Sequence, residues 1–191
     1  LKNSTIENNK NRGLMLTNSN SIIDSVRFLN QNTTDWPANQ NEAKAIYVQG
    51  GQASVKNSYF ENNSTGIYIG PYNSIEALPV IEGNNFVKNG DPIYLGELSY
   101  PSFSGNKATD NSYNAIIFAS AIAKNMTLKT DLPYLIKDVR NVQENVTLTL
   151  DPGVIMAFKD NWSGLKISGT LKAVGSKGQK IIFKPYYDSV L

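Results

Sequence analysis

Three tyrosines hold the same place in three similar segments: Ala45-Ile46-Tyr47-Val48, Gly66-Ile67-Tyr68-Ile69 and Pro92-Ile93-Tyr94-Leu95. Side chains alternate along a strand, so turning the flanking apolar residues inward turns Tyr47, Tyr68 and Tyr94 outward in a row. Exposed rings in a row can stack on the apolar faces of sugars while their hydroxyls bond sugar hydroxyls. Trp36 and Tyr72, in two neighbouring loops, extend this candidate carbohydrate site. The same row has a use without any ligand, because stacked aromatics on adjacent strands stabilise each other by about 0.2–1 kcal/mol per pair. The sequence leaves both roles open.

Acid–base chemistry has little to work with. The chain has no histidine and no cysteine, which removes the usual neutral-pH base, the commonest zinc ligand, thiol chemistry and disulfides. A lyase of the calcium-and-arginine type needs six to eight converging oxygens and a nearby basic residue. The acids Asp24, Asp35, Glu61, Glu82, Asp91 and Asp110 stand singly, and Arg12, Arg27 and Arg140 lie outside any Asp-rich segment. A glycoside hydrolase needs two neighbouring carboxylates, and no Asp-Asp or Asp-x-x-Asp cluster occurs. No catalytic residue, metal or cofactor is assigned.

Composition narrows the partners. Charged residues make up 18% of the 191, and the net charge is +2. That balance gives no footprint for nucleic acid. No run approaches the length of apolar sequence that inserts into a membrane. The first residues already read as the middle of a repeat, since Ile6-Glu7-Asn8-Asn9 matches Phe60-Glu61-Asn62-Asn63. A piece of a longer chain is expected, with neighbouring domains of that chain as partners.

The elements that position the tyrosines recur. With the related segments Gly13-Leu14-Met15-Leu16 and Ala115-Ile116-Ile117-Phe118, the central positions 15, 47, 68, 94 and 117 are 32, 21, 26 and 23 residues apart. One short strand per period in the twenties is the mark of a solenoid. Upstream of each strand an apolar residue is followed by asparagine: Ile6 with Asn8 and Asn9, Phe28 with Asn30, Phe60 with Asn62 and Asn63, Phe86 with Asn89, Phe103 with Asn106. Asn tolerates left-handed backbone angles and bonds its own turn. In stacked coils, equivalent amides come within reach of one another at about 4.8 Å. One rung therefore reads as a strand ending in Phe, an Asn turn, an Ile-Tyr-Val strand and a variable loop. Two loops bulge from it, at 33–44 and 71–79.

From about Ala121 the texture changes to sharp alternation with tight turns, as in Val146-Thr147-Leu148-Thr149-Leu150-Asp151-Pro152-Gly153. Two domains are expected: residues 1–120 as Asn-rich rungs closing one solenoid, and 121–191 as the opening rungs of a second. The two either stack on one core or meet at a bend near 121–145.

Pro133-Tyr134-Leu135-Ile136, the Thr147–Val154 segment, Phe158-Lys159, the Leu165–Gly175 segment and Ile181-Ile182-Phe183 resemble the opening rungs of right-handed parallel β-helix proteins of the pectin-lyase-like superfold. The Asn-rich stretch resembles β-helix repeats of the same group, and the two cover nearly the whole chain. The resemblance implies an all-β, right-handed parallel β-helix from a large secreted or cell-surface protein of prokaryotic type. It also implies that Trp162 packs within its turn. The fold serves lyases, hydrolases, adhesins and stalks alike. The expected role is a non-catalytic extracellular module, a rigid spacer or a scaffold for polysaccharide or a cell-surface glycan. The alternative is a fragment of a polysaccharide lyase or glycoside hydrolase whose catalytic centre lies partly outside this chain.

Overall fold

A computed structural model describes residues 1–32 and 43–186. Every regular element among them is a strand. The chain enters through β1 (Thr5–Glu7), β2 (Arg12–Thr17), β3 (Ile22–Asp24) and β4 (Arg27–Leu29). The next coil is β5 (Lys44–Gln49), β6 (Ser54–Lys56) and β7 (Tyr59–Glu61), followed by β8 (Thr65–Gly70), β9 (Val80–Glu82) and β10 (Asn85–Val87). Then come β11 (Asp91–Leu95), β12 (Ser102–Ser104) and β13 (Lys107–Thr109). A shorter coil holds β14 (Ile116–Phe118) and β15 (Met126–Leu128). The last coils are β16 (Tyr134–Ile136), β17 (Val139–Val142) and β18 (Thr147–Leu150), then β19 (Ile155–Phe158), β20 (Gly164–Ile167), β21 (Thr170–Ala173) and β22 (Ile182–Pro185).

All strand pairs between these elements are parallel, each strand bonding its counterpart one coil away. The longest sheet runs β2-β5-β8-β11-β14-β16-β19-β22. It carries the repeat segments in the expected register, with Met15, Tyr47, Tyr68, Tyr94 and Ile117 as successive partners. A five-stranded sheet, β1-β4-β7-β10-β13, carries the Phe column. Phe28, Phe60 and Phe86 are fully buried, with rings stacked 4.9 and 4.7 Å apart.

A third sheet, β3-β6-β9-β12, closes the coil. It adds a strand per rung that the two-strand reading of the repeat lacks. Each of its strands offers one inward apolar residue, Ile23, Val55, Ile81 or Phe103. Phe103 is therefore a correction: it pairs with Ile81, and the successor of Phe86 is Ala108.

Asparagines bond up the axis in two buried ladders. At the corner after the five-stranded sheet, Gln31, Asn63, Asn89 and Asn111 stack; each backbone N–H donates to the side-chain oxygen of the next, at 2.8–3.0 Å. Their amides also donate to strand carbonyls, as Asn63 does to Phe28 and Asn89 to Phe60. At the preceding corner, Ser58, Asn84 and Asn106 form the second ladder, which ends on the Asp131 carboxylate. The turn residues Asn8, Asn30, Asn62, Lys88 and Asp110 all take left-handed angles, φ 54–58°, the conformation Asn adopts at least cost.

The expected division at 120/121 falls where two sheets change and one does not. The five-stranded sheet stops at β13 and the third at β12. New sheets β15-β18-β21 and β17-β20 take over, while the eight-stranded sheet runs through. The coil from Ile117 to its partner Leu135 spans only 18 residues (135 − 117). It passes from β15 to β16 with no strand between. One buried apolar cluster extends from Leu16 to Met156 across this point, so both parts stack on a single core.

A candidate binding face on the eight-stranded sheet

Tyr47, Tyr68 and Tyr94 occur as a column, brought together by strand register. They are half-buried, not fully exposed. The Tyr68 and Tyr94 centroids are 5.0 Å apart with planes only 13° from parallel. Rings that close and that nearly parallel overlap face to face, so each hides part of the other's stacking surface. Tyr47 meets Tyr68 edge-on, at 4.9 Å and 83°. Its ring also carries two cations, Arg12 at 5.3 Å and Lys44 at 5.6 Å, and Lys44 lies 5.2 Å from Tyr68 as well. The column presents ring edges and hydroxyls more than flat faces.

Glycines seat the middle ring. A Cβ at Gly70 would stand 3.0 Å from Tyr68 Cε1, and one at Gly96 would stand 2.9 Å from its hydroxyl. Burial pushes the Tyr68 phenol above its ordinary pKa, helped by Tyr47, Tyr94 and Glu97 nearby. Burial does the same at Tyr94, with Asp91 adding to it and Arg140 opposing it. These phenols stay neutral and act as hydrogen-bonding groups, not as bases near neutral pH.

Tyr72 stands apart from the column. It sits in a tight hairpin, bonded to Ile75 in both directions (N–H to carbonyl, 3.1 and 2.8 Å), against the turn at Gly50. No ring contact among the described residues joins it to Tyr47, Tyr68 or Tyr94. Trp36 lies outside the described residues.

Beyond Tyr94 the outward positions become Ile117, Leu135 and Ala157, all fully buried. With Ala115 and Tyr186 they form a second apolar cluster on the outside of the sheet, against which Tyr94 and Tyr113 pack. Tyr186 is buried, its hydroxyl accepting from the Asn114 backbone N–H at 3.1 Å. Asn114 accepts in turn from Asn111, so the ladder passes its last bond to this cover. The signal missed in the sequence was Ile117-Leu135-Ala157, an outward column with no polar residue.

Five of the described acids are each held by one base. Lys2 pairs with Asp24, Lys56 with Glu82, Lys124 with Glu76, Lys137 with Asp91 and Arg140 with Asp138, at 2.8–3.2 Å. Asp24 lies below the usual carboxylate range because Asn57, Lys2 and Ser25 bond it. Among the described residues no three metal-ligating side chains converge. Trp162 is the second correction. It is 85% exposed and packs on nothing in the core; its turn is held by Asp160, whose carboxylate accepts from the Trp162 N–H and the Ser163 hydroxyl.

Stacked parallel coils, with buried ladders at two corners of the first region, define a β-solenoid. Residues 1–130 match the family described as right handed beta helix region, and the chain belongs to that family. Its similarity to Protein bark beetle of Drosophila melanogaster is 32% identity over 76 residues. That match covers 40% of this chain and only 2% of the length of the fly protein. No solved structure matches the chain.

Proposed function

We propose that the chain is a rigid, non-catalytic module of a larger secreted or cell-surface protein, serving as a spacer that holds neighbouring domains at fixed separation. The observation that carries this is the set of columns along the axis of the first region, joined to the later coils by one sheet and one core. The Phe stack, two amide ladders and the tyrosine column each link rung to rung. Such columns resist bending in the first region, where rungs are bonded to their neighbours by backbone and by side chains, and the backbone pairing of the eight-stranded sheet continues through the later coils. Placement outside the cell is part of the proposal and rests on the resemblance to secreted and surface β-helix proteins.

Rigidity has a direct test. The chain has no native cysteine, so spin labels at Glu7→Cys and Lys159→Cys are the only reporters. Pulsed dipolar spectroscopy is expected to give one narrow distance distribution; a broad distribution defeats the spacer.

A second function, carbohydrate binding at the tyrosine column, is favoured by the half-exposed hydroxyl row beside Arg12. A glycan array on wild type and on a folded Tyr47/Tyr68/Tyr94→Ala variant separates the two. The spacer predicts no saturable binding that the variant loses. Binding present in wild type and lost in the variant makes the column a sugar site. The lyase or hydrolase alternative requires converging carboxylates, and the single pairing of Asp24, Glu76, Glu82, Asp91 and Asp138, each with its own base, argues against it. Release of new chain ends from an array-positive polymer would support it.

A further inference from the structure

The sequence contains a single Asn-Gly pair, Asn89-Gly90, and that pair carries a chemical weakness. The backbone nitrogen after an asparagine can attack the side-chain carbon Cγ and close a cyclic imide. Glycine has no Cβ to shield that nitrogen, so ring closure is easier at this pair than at an asparagine followed by a larger residue.

The fold calls for both residues. A Cβ at Gly90 would stand 2.4 Å from the Ser64 carbonyl oxygen, so two coils approach too closely there for a side chain. Asn89 is a rung of the buried ladder, only 2% exposed. Its side-chain oxygen accepts from the Asn63 backbone N–H at 3.0 Å and from the Asn63 amide at 2.8 Å. Its amide nitrogen donates to the Phe60 and Val87 carbonyls, at 3.0 and 3.1 Å, and to the Asn111 side-chain oxygen at 2.9 Å.

The ladder that needs this pair also guards it. Gly90 N is the attacking atom, and its N–H donates to the Asn63 carbonyl at 2.9 Å. It must lose that proton to attack, in a place sealed from the water or hydroxide that would take it. Cγ cannot swing toward Gly90 without breaking the bonds of both side-chain atoms. Most of these bonds come from other coils: Phe60 and Asn63 from the one before, Asn111 from the one after.

We propose that Asn89-Gly90 is a latent modification site, silent while the coils are stacked and converted irreversibly once they part. In the first step Gly90 N gives its proton to water or hydroxide and bonds to Cγ. The Cγ–Nδ2 bond breaks and ammonia leaves. In the second step water opens the imide at either carbonyl, giving aspartate or isoaspartate. No oxidant or cofactor takes part. The product does not fit the ladder. A carboxylate at position 89 has no N–H for Phe60, Val87 and Asn111, and it brings charge into a buried place. Isoaspartate also lengthens the main chain between β10 and β11. The converted chain restacks poorly and cannot recover its amide, so each opening of this coil leaves a permanent mark. The site does not depend on the spacer role.

The test holds the full chain at mildly alkaline pH, in buffer and in guanidinium chloride, with deamidation mapped by peptide mass spectrometry. In denaturant, Asn89 is expected to convert before every other asparagine. In buffer its conversion is expected to be roughly a hundredfold slower or more, because it must pass through opening of the coil. Below the unfolding transition, hydrogen exchange at the Gly90 amide, read by NMR, and deamidation at Asn89 are expected to rise together with denaturant. One opening frees the same nitrogen for both. Chains converted in denaturant and returned to buffer are expected to melt below unconverted chains refolded beside them. Conversion in buffer as fast as in denaturant overturns the proposal. So does conversion that does not follow Gly90 exchange, or unchanged melting of the converted chains.

Discussion

The coils before β14 and those after it share one long sheet and one core, yet they are held differently. In the first region, polar side chains are inside and organised. Asn63, Asn84, Asn89 and Asn106 are almost fully buried, and each closes bonds to the rung above and to a strand carbonyl. In the second, turns are made by Asp151-Pro152-Gly153 and Ser168-Gly169, and side-chain bonds between coils are few and exposed, such as Asn125 to Thr147 N–H and Ser168 to Asn141. Core residues that are sealed in the first region become half-buried at Leu165 and Leu171. A parallel β-helix thus needs its corners satisfied, and it can do so with buried amides or with turn chemistry. The two solutions should fail differently.

The largest contrast is a buried charge. Ile67→Asp places a carboxylate in a fully buried position and is expected to cost several kcal/mol and abolish the folding transition of the first region. Leu171→Asp, at a half-buried position in the last coil, is expected to leave that transition in place, as read by thermal melts followed by circular dichroism. Equal losses would erase the distinction between the regions.

Next comes the ladder. Asn89→Ala removes the acceptor for Asn63 N–H and the donor to Phe60 carbonyl. It is expected to cost about 1–3 kcal/mol for each buried group left unpaired. Asn161→Ala, at an exposed turn, is expected to stay within about 0.5 kcal/mol. Urea midpoints of the two variants give the comparison.

A smaller effect is expected at the outer face. Tyr68→Ala removes two ring contacts, each worth about 0.5–1.5 kcal/mol. A solvent-facing ring would have cost almost nothing, so chemical denaturation of this variant measures how far the column is structural.

The junction has a pH signature. Burial raises the Asp131 carboxyl above its ordinary range, although bonds from Asn106 and the Leu132 backbone oppose it. A folded-state pKa above the unfolded one means the folded chain binds more protons in that window. Stability is then greatest below the ordinary carboxylate range and falls as pH rises through it toward the raised value. Asp131→Asn continues the ladder with an amide and is expected to remove this slope. A stability profile unchanged by the substitution would show that Asp131 is not the group responsible.

Much of the first region was legible because its strands carry two inward residues flanking a third, as in Ile46-Tyr47-Val48, and because Phe and Asn recur at fixed offsets. The third sheet was not. Ser54-Val55-Lys56 and Ser102-Phe103-Ser104 each bury one residue between polar neighbours, and three residues carry no usable period. Phe103 was misplaced for a related reason. An aromatic three residues before an asparagine marks both corners, Phe86 with Asn89 and Phe103 with Asn106, and only pairing tells them apart. The tyrosine column followed from alternation, but the angle between its rings, the glycine seats at 70 and 96 and the cover by Tyr186 depend on packing between distant segments. Trp162 looked like a packing residue by resemblance; its exposure arises from a turn tied to Asp160.

Hydrogen exchange read by mass spectrometry tests the continuity of the stack most directly. If one core runs through the junction, the amides of β14 and β16 are protected to the same extent as those of β8 and β11, and they open together with them. Rapid exchange at β14 and β16 while β8 and β11 stay closed would contradict a single continuous solenoid, and with it the rigid spacer.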